Sequence, residues 1–290
     1  MIPAQFQYAA PASIPDAIAL LKSNPDAKIL SGGQSLIPLM KFRLAQPAMI
    51  VDLNNIGGLD YIREQGGWLK IGALARESEL EDSALVREKY PLLYDTTLSV
   101  ADPIVRNRAT LAGNLAHADP ANDHPATMLA YRAQVVATGT SGNRTIAIDD
   151  FFQGLFATAL ASDEILSEVQ IPAPVARSGG AYFKMERKVG DFATAGVAVQ
   201  LNLDASGKIE QIGIGLTNVG LQALRAKRSE DALRGEMPDA KWIERAAMFA
   251  QEDCEPNADL RGGVEYKRNL VRVLTMRAIE KAVARARGNG

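Results

Sequence analysis

Cysteine is nearly missing from this chain: Cys254 is the only one in 290 residues. An internal disulfide is therefore impossible, and so is a zinc or iron–sulfur site built from this chain's thiolates. The expected state of such a cysteine is a buried, unreactive thiol. Histidine is almost as scarce, with only His117 and His124 to supply imidazole chemistry. Neither sign of charge dominates, since 32 Lys and Arg stand against 34 Asp and Glu for a net charge of −2. That balance gives no electrostatic footprint for nucleic acid or an anionic membrane. No apolar run approaches the ~18 residues of a membrane span. The opening stretch, MIPAQFQYAAPASIPDAIALL, lacks the basic n-region of a signal peptide. A soluble cytoplasmic chain is expected, with peripheral association at the inner face of a membrane left open.

What is present is ordinary globular composition, 47% hydrophobic and 23% charged, in a chain long enough for two or three small domains. Ser13-Ile14-Pro15-Asp16 carries helix-start signals: a capping hydroxyl, a proline for the first turn and an acid for the positive end. Asn24-Pro25 stops that helix. A strand over 27–30, a glycine loop, a short helix ending near Phe42 and a strand over 49–53 follow, so the first ~55 residues read as a β-α-β-like unit. Residues 61–73 predict a hairpin turning at Gly66-Gly67, and helices are expected around 77–88 and from Tyr90. Residues 101–126 read as a loop-rich block, and strands are expected over 134–138, 144–148 and 165–171. The Pro/Gly-rich stretch Pro172–Gly180 marks a domain boundary. Beyond it, strands over 192–203 and 209–218 precede helices over 239–251 and 269–287. The expected division is 1–55, 56–175 and 176–290, an α+β class with strands followed by helices in the last unit.

Several segments have the residue types for chemistry. In Ser31-Gly32-Gly33-Gln34-Ser35 the glycines allow close backbone approach and positive φ, and successive amides can cradle a phosphate or pyrophosphate. The loop lacks the lysine of a P-loop and the third glycine of a dinucleotide fingerprint, so a plain turn stays open. Thr110-Leu111-Ala112-Gly113-Asn114 is a second uncharged small-residue turn, suited to a phosphate or ribose, or simply a capped turn. In Asp119-Pro120-Ala121-Asn122-Asp123-His124-Pro125, Asp123 suits ribose hydroxyls or a helix cap. His117 and His124 lie seven apart across helix-breaking prolines, a poor spacing for a shared metal. Arg106 and Arg108 precede the second loop and either brace it through carbonyls or touch a phosphate, a surface or structural role being the expectation. Lys184, Arg187, Lys188 and Asp191 cluster in YFKMERKVGDF, either as a solvated strand or turn or with Lys184 as a charge near a ligand.

Together these pieces resemble the FAD-binding medium subunits of the molybdenum hydroxylases, the family of the xanthine dehydrogenase flavin domain and the carbon monoxide dehydrogenase medium subunit. The resemblance rests on SGGQSLIPLMK and MIVDL, on Arg106–Asn114 followed by Asp119–Asp123, and on YFKMERKVGDFATAGVAV, GIGLTNVG and RGGVEYKRNLV. It covers essentially the whole chain, and is strongest toward the carbon monoxide dehydrogenase members through KVGDFATA and IGLTNV.

The resemblance implies two small α+β flavin domains (PCMH-type) and a C-terminal α+β domain, with FAD extended between the first two. Ile29, Leu30, Ser31, Gly32, Gly33, Gln34, Ser35 and Leu36 would hold its pyrophosphate together with Thr110, Ala112, Gly113 and Asn114. Asp123 would bind the adenosine side; Val100, Leu166 and Lys184 match FAD contacts; Phe192 matches an aromatic near the flavin. The partners implied are a large molybdenum–pterin subunit and a small [2Fe–2S] subunit, in a dimer of heterotrimers. The external acceptor is a quinone, oxygen, NAD or a carrier, and no catalytic acid, base or nucleophile is assigned. Two departures from the family pattern stand out. Gln34 takes the place of a frequent imidazole, and Ala112 that of a glycine, where its methyl is expected to resist positive φ and crowd a phosphate. A stand-alone flavin oxidase, an FAD-free scaffold and a simple nucleotide-binding protein remain as alternatives.

Overall fold

The computed structural model describes residues 1–288. The chain opens with β1 (Gln7–Ala9), α1 (Ile14–Ser23), β2 (Lys28–Leu30), α2 (Leu36–Lys41) and β3 (Met49–Asp52). The strands form a parallel sheet in the order β1-β3-β2, so β1, too short to show a pattern in the sequence, completes the expected unit. The start of α1 follows its signals: the Ser13 side chain accepts from the Asp16 N–H, and Ala17, Ile18 and Leu21 are buried.

Next come β4 (Ile62–Gln65), β5 (Trp68–Gly72), α3 (Glu77–Asp82), α4 (Ala84–Lys89), α5 (Pro91–Ser99), α6 (Pro103–Arg106), α7 (Leu111–His117), α8 (Asp123–Tyr131), β6 (Gln134–Gly139), β7 (Gly142–Ala147), β8 (Phe152–Gly154), β9 (Ala157–Thr158) and β10 (Ile165–Pro172). Five of these strands make an antiparallel sheet, β4-β5-β10-β6-β7, and β8 pairs with β9. The block 101–126 is not loop-rich but carries α6, α7 and the start of α8. Its Asp, Thr and Pro residues are helix-start signals rather than breakers. Asp102 caps α6, with Pro103 in the first turn, and Thr110 caps α7. The small residues between them give too weak a hydrophobic period to mark the helices in the sequence.

The last elements are β11 (Ser178–Met185), β12 (Ala195–Leu203), β13 (Ile209–Thr217), β14 (Leu224–Arg225), α9 (Lys227–Leu233), α10 (Ala240–Asp253) and α11 (Val264–Ala286). The strands form an antiparallel sheet in that order. Tyr182 to Met185 of the basic cluster thus lie in a strand, and the turn 186–194 delays β12 to Ala195. One core joins Leu201, Ile214 and Val271 between this sheet and the C-terminal helices. A second runs through the five-stranded sheet and reaches Tyr182 and Ala198.

Helix α8 is the hinge of this arrangement: all nine of its residues are buried. It lies so close on β13 that a Cβ on Gly215 would stand 1.9 Å from the Ala126 carbonyl oxygen, and one on Gly213 2.1 Å from that of Ala130. Only glycine permits the contact. A second tie between the halves is the bidentate pair of Arg285 on α11 with Asp95 on α5, at 2.6 and 3.0 Å.

Candidate functional site

The two small-residue segments meet. The loop after β2 and the N-terminus of α7 approach so that Ser31 Oγ and Thr110 Oγ1 are 3.1 Å apart. Ser31 donates to the Ala73 carbonyl at 3.3 Å, and Thr110 accepts from the Gly113 N–H at 3.1 Å. The Thr110 proton is therefore the one that bridges to Ser31. Gly32 makes the approach possible: a Cβ there would lie 2.2 Å from the Arg108 carbonyl oxygen. Gly33 turns the chain into α2 with φ +77°, a conformation open to glycine at no steric cost.

A brace from behind fixes the two segments. Arg76 donates to the Arg108 carbonyl at 2.8 Å and to the Asn54 side-chain oxygen, while Asn54 donates to the Ser31 carbonyl at 3.0 Å. The Glu77 N–H is bound to the Ala109 carbonyl at 2.9 Å. Neither Asn54 nor Arg76 was expected from the sequence, where only their places just after β3 and just before α3 set them apart. Arg106 does not reach the second loop: it donates to the Val100 carbonyl at 3.0 Å and pairs with Glu81, while Arg108 enters the brace through its backbone carbonyl, which accepts from Arg76.

These residues fit a diphosphate. Among the described residues, no acceptor within the chain takes the backbone N–H groups of Gly32, Gly33, Gln34, Ser35 or Leu36. The Asn114 side-chain oxygen is buried without a partner; as an acceptor it would suit a ligand hydroxyl or N–H, leaving its amide nitrogen for phosphate. Neutral backbone amides clustered in one loop can bind phosphate without a lysine. The expectation for Ala112 is corrected: it sits in the first turn of α7, outside the positive-φ residues, 3% exposed in a core with Leu111 and Leu115. Its methyl packs inward, and a helical turn asks for no glycine there.

Asp123 and Lys184 also come together. Asp123 begins α8 behind the cap residue Asn122; its carboxylate accepts from Tyr182 Oη at 2.6 Å and from Lys184 Nζ at 3.1 Å. Lys184 donates in addition to the Ser99 carbonyl at 2.8 Å, next to Val100. Burial pushes the Asp123 carboxyl above the usual range, opposed by the Lys184 ammonium and the Tyr182 hydroxyl. Both Asp123 oxygens are thus engaged inside the chain, by a tyrosine the sequence did not single out. Val100 ends α5, and Leu166 lies at a bulge of β10 in the core that holds Ala112. Phe192 is 48% exposed, with the Arg261 guanidinium 5.9 Å from the centre of its ring.

The histidines do not meet. Fully buried His124 contacts Glu77 at 2.9 Å, and His117 packs on the Phe156 ring. Among the described residues no group of three metal-ligating side chains occurs, and no helix is long and apolar enough to cross a membrane.

A family model for the FAD binding domain in molybdopterin dehydrogenase matches residues 4–174, and one for the CO dehydrogenase flavoprotein C-terminal domain matches residues 180–282. The chain belongs to this family of molybdopterin dehydrogenase flavoproteins, the flavin subunits of multi-subunit molybdenum oxidoreductases. More narrowly, it is 42% identical to the carbon monoxide dehydrogenase medium chain of Hydrogenophaga pseudoflava, over 98% of this chain and 99% of that one. It is 37% identical to the nicotine 6-hydroxylase medium subunit of Paenarthrobacter nicotinovorans, over 96% of this chain and 98% of that one. The solved carbon monoxide dehydrogenase from H. pseudoflava superposes with a TM-score of 0.96 at 44% identity, covering 98% of this chain and 99% of that one. Quinoline 2-oxidoreductase from Pseudomonas putida 86 gives 0.91 at 35% identity, covering 100% and 99%.

Proposed function

We propose that this chain is the electron-transfer flavoprotein of a heteromeric molybdenum hydroxylase, taking electrons from the [2Fe–2S] clusters of a small subunit and passing them to an external acceptor. The observation that carries the reading is the convergence of the Ser31–Leu36 and Thr110–Asn114 segments, at 3.1 Å between Ser31 and Thr110. When bound, FAD supplies the exchange between one-electron and two-electron chemistry. The chain's own residues bind and orient. The amides of residues 32–36 and the Asn114 side-chain nitrogen would hold the pyrophosphate. Arg76 and Asn54 keep those donors in place. Val100, Leu166, Asp123 and Lys184 would contribute further contacts to bound FAD, with the Lys184 ammonium beside Val100 through the Ser99 carbonyl, and Phe192 would stand near the flavin. With one cysteine, the iron–sulfur relay belongs to another chain.

The stand-alone oxidase reading is disfavoured, because the one buried acid–imidazole pair among the described residues, Glu77 with His124, is sealed from any substrate. The relatives' names span carbon monoxide, nicotine and quinoline on one shared fold. The substrate is accordingly assigned to the large subunit, with carbon monoxide first by likeness and aldehydes, N-heterocycles and aromatic thioesters behind it. Purification of the native complex tests the proposal. The expected result is FAD equimolar with this chain, and molybdenum and iron in the accompanying large and small subunits. A colourless chain that cannot be reconstituted with FAD would sink it.

A further inference from the structure

The segment Arg261–Val271 (RGGVEYKRNLV) takes no part in the pyrophosphate cradle, yet it is built as tightly. Lys267 on α11 is only 2% exposed, and its Nζ donates to Asp259 Oδ2 at 2.7 Å. A desolvated ammonium needs such a partner, so the pair is held. The other Asp259 oxygen accepts from the Arg261 N–H at 2.8 Å and the Gly262 N–H at 3.1 Å, fixing the turn. Arg261 then reaches across to Asp191, donating to its Oδ1 at 2.9 Å, and its guanidinium lies 5.9 Å from the centre of the Phe192 ring. The same Asp191 oxygen accepts from the Phe192 N–H at 2.9 Å, and Arg187 donates to the second oxygen at 3.1 Å. Arg261 holds the Asp191 carboxyl down at about 2, so the contact is ionic throughout the neutral range. One carboxylate and one guanidinium thus grip both the backbone and the ring of Phe192. The gripped turn leans on the flavin half: a Cβ on Gly190 would stand 3.0 Å from the carbonyl oxygen of Ala101, the neighbour of Val100. Its outer side faces solvent, with Val189 93% exposed.

We infer that Arg261, anchored through Asp259 by Lys267, is a positioning residue that sets Phe192 against the flavin edge and so governs how openly the flavin meets solvent and external acceptors. The inference rests on the proposed place of Phe192 beside the flavin. It gives the RGGVEYKRNLV segment a task that packing alone does not require, since an apolar side chain at 267 would fill the same space.

The experiment uses the FAD-loaded chain in its native assembly and reads the Stern–Volmer constant for iodide quenching of flavin fluorescence, alongside FAD content and melting temperature. Arg261→Gln and Phe192→Ala are each expected to raise quenching several-fold, read per bound FAD, and the double variant no further than either alone. Arg261→Lys is expected to fall between, because an ammonium cannot serve Asp191 and the ring together. Quenching at the wild-type level in Arg261→Gln, with Phe192→Ala raised, overturns the inference. Phe192→Ala at the wild-type level instead removes the flavin-side placement of Phe192 itself. Should Arg261→Gln shed FAD or unfold, Arg261→Lys decides, and wild-type quenching there also overturns the inference.

Discussion

The hydroxyl oxygens of Ser31 and Thr110 stand 3.1 Å apart across 79 residues of chain. Each is already committed, Ser31 to the Ala73 carbonyl and Thr110 to the Gly113 amide. The bridge therefore spends side chains that would otherwise face a ligand, and leaves ligand binding to the backbone. Side-chain variants around the loop should for that reason matter less than backbone ones.

Gly32→Ala is the sharpest backbone test. The new methyl would meet the Arg108 carbonyl at 2.2 Å and the Ala109 Cα at 2.8 Å. The segments must separate, at an overpacking cost of roughly 1–3 kcal/mol. FAD retention should fall, and the melting temperature of the FAD-free chain should drop by the few degrees that such a cost implies, as read by FAD titration and thermal denaturation. Full retention would mean that the cradle lies elsewhere.

Ala112→Gly is expected to bring no gain in FAD affinity. Ala112 is a core residue in a helical turn. Glycine there should destabilise the chain by about 1 kcal/mol through backbone entropy, with a further loss from the missing methyl. Denaturant unfolding of the FAD-free chain measures the loss; tighter FAD binding would contradict the inward placement of the methyl.

Lys184→Met should destabilise the chain by about 3–5 kcal/mol, because it strands the buried Asp123 carboxyl with Tyr182 alone. Lys184→Met combined with Asp123→Asn should recover a good part of the loss. A double variant as unstable as the sum of its parents would show that the two side chains act independently.

Cys254 should be inert. It is fully buried, donates to the Gln251 carbonyl, and burial pushes its thiol up to about 11 from 9.0. A raised value favours the protonated folded form. Its contribution is complete below the ordinary value and is lost as pH rises through about 11. A disulfide reagent at pH ~8 should react with this thiol only after denaturation; rapid labelling of the native chain would refute its burial.

Local signals were legible where one short stretch carried them. Ser13, Pro15 and Asp16 announced α1, Gly66-Gly67 the first hairpin, and the paired glycines of SGGQS a loop of close approach. The same signals misled at 101–126, where caps and prolines that start helices resembled those that interrupt them. The brace was invisible for another reason. Asn54 and Arg76 are ordinary surface residue types whose task exists only once β3, α3 and the Arg108 carbonyl are brought together. Tyr182 was hidden similarly: nothing in its neighbours shows that it reaches Asp123, 59 positions away. Contacts between distant segments have no periodicity for a sequence to display.

The burial of α8 on the glycines of β13 bears on how such proteins can be recombined. A fragment ending in the connection at 173–177 would carry a helix stripped of its cover along one side. Such a fragment should aggregate or bind chaperones rather than behave as a free flavin module. A chimera joining the front of one medium subunit to the back of another would succeed only where the incoming strand offers the same glycine track to the helix. The cut that the linker invites is the one the packing forbids.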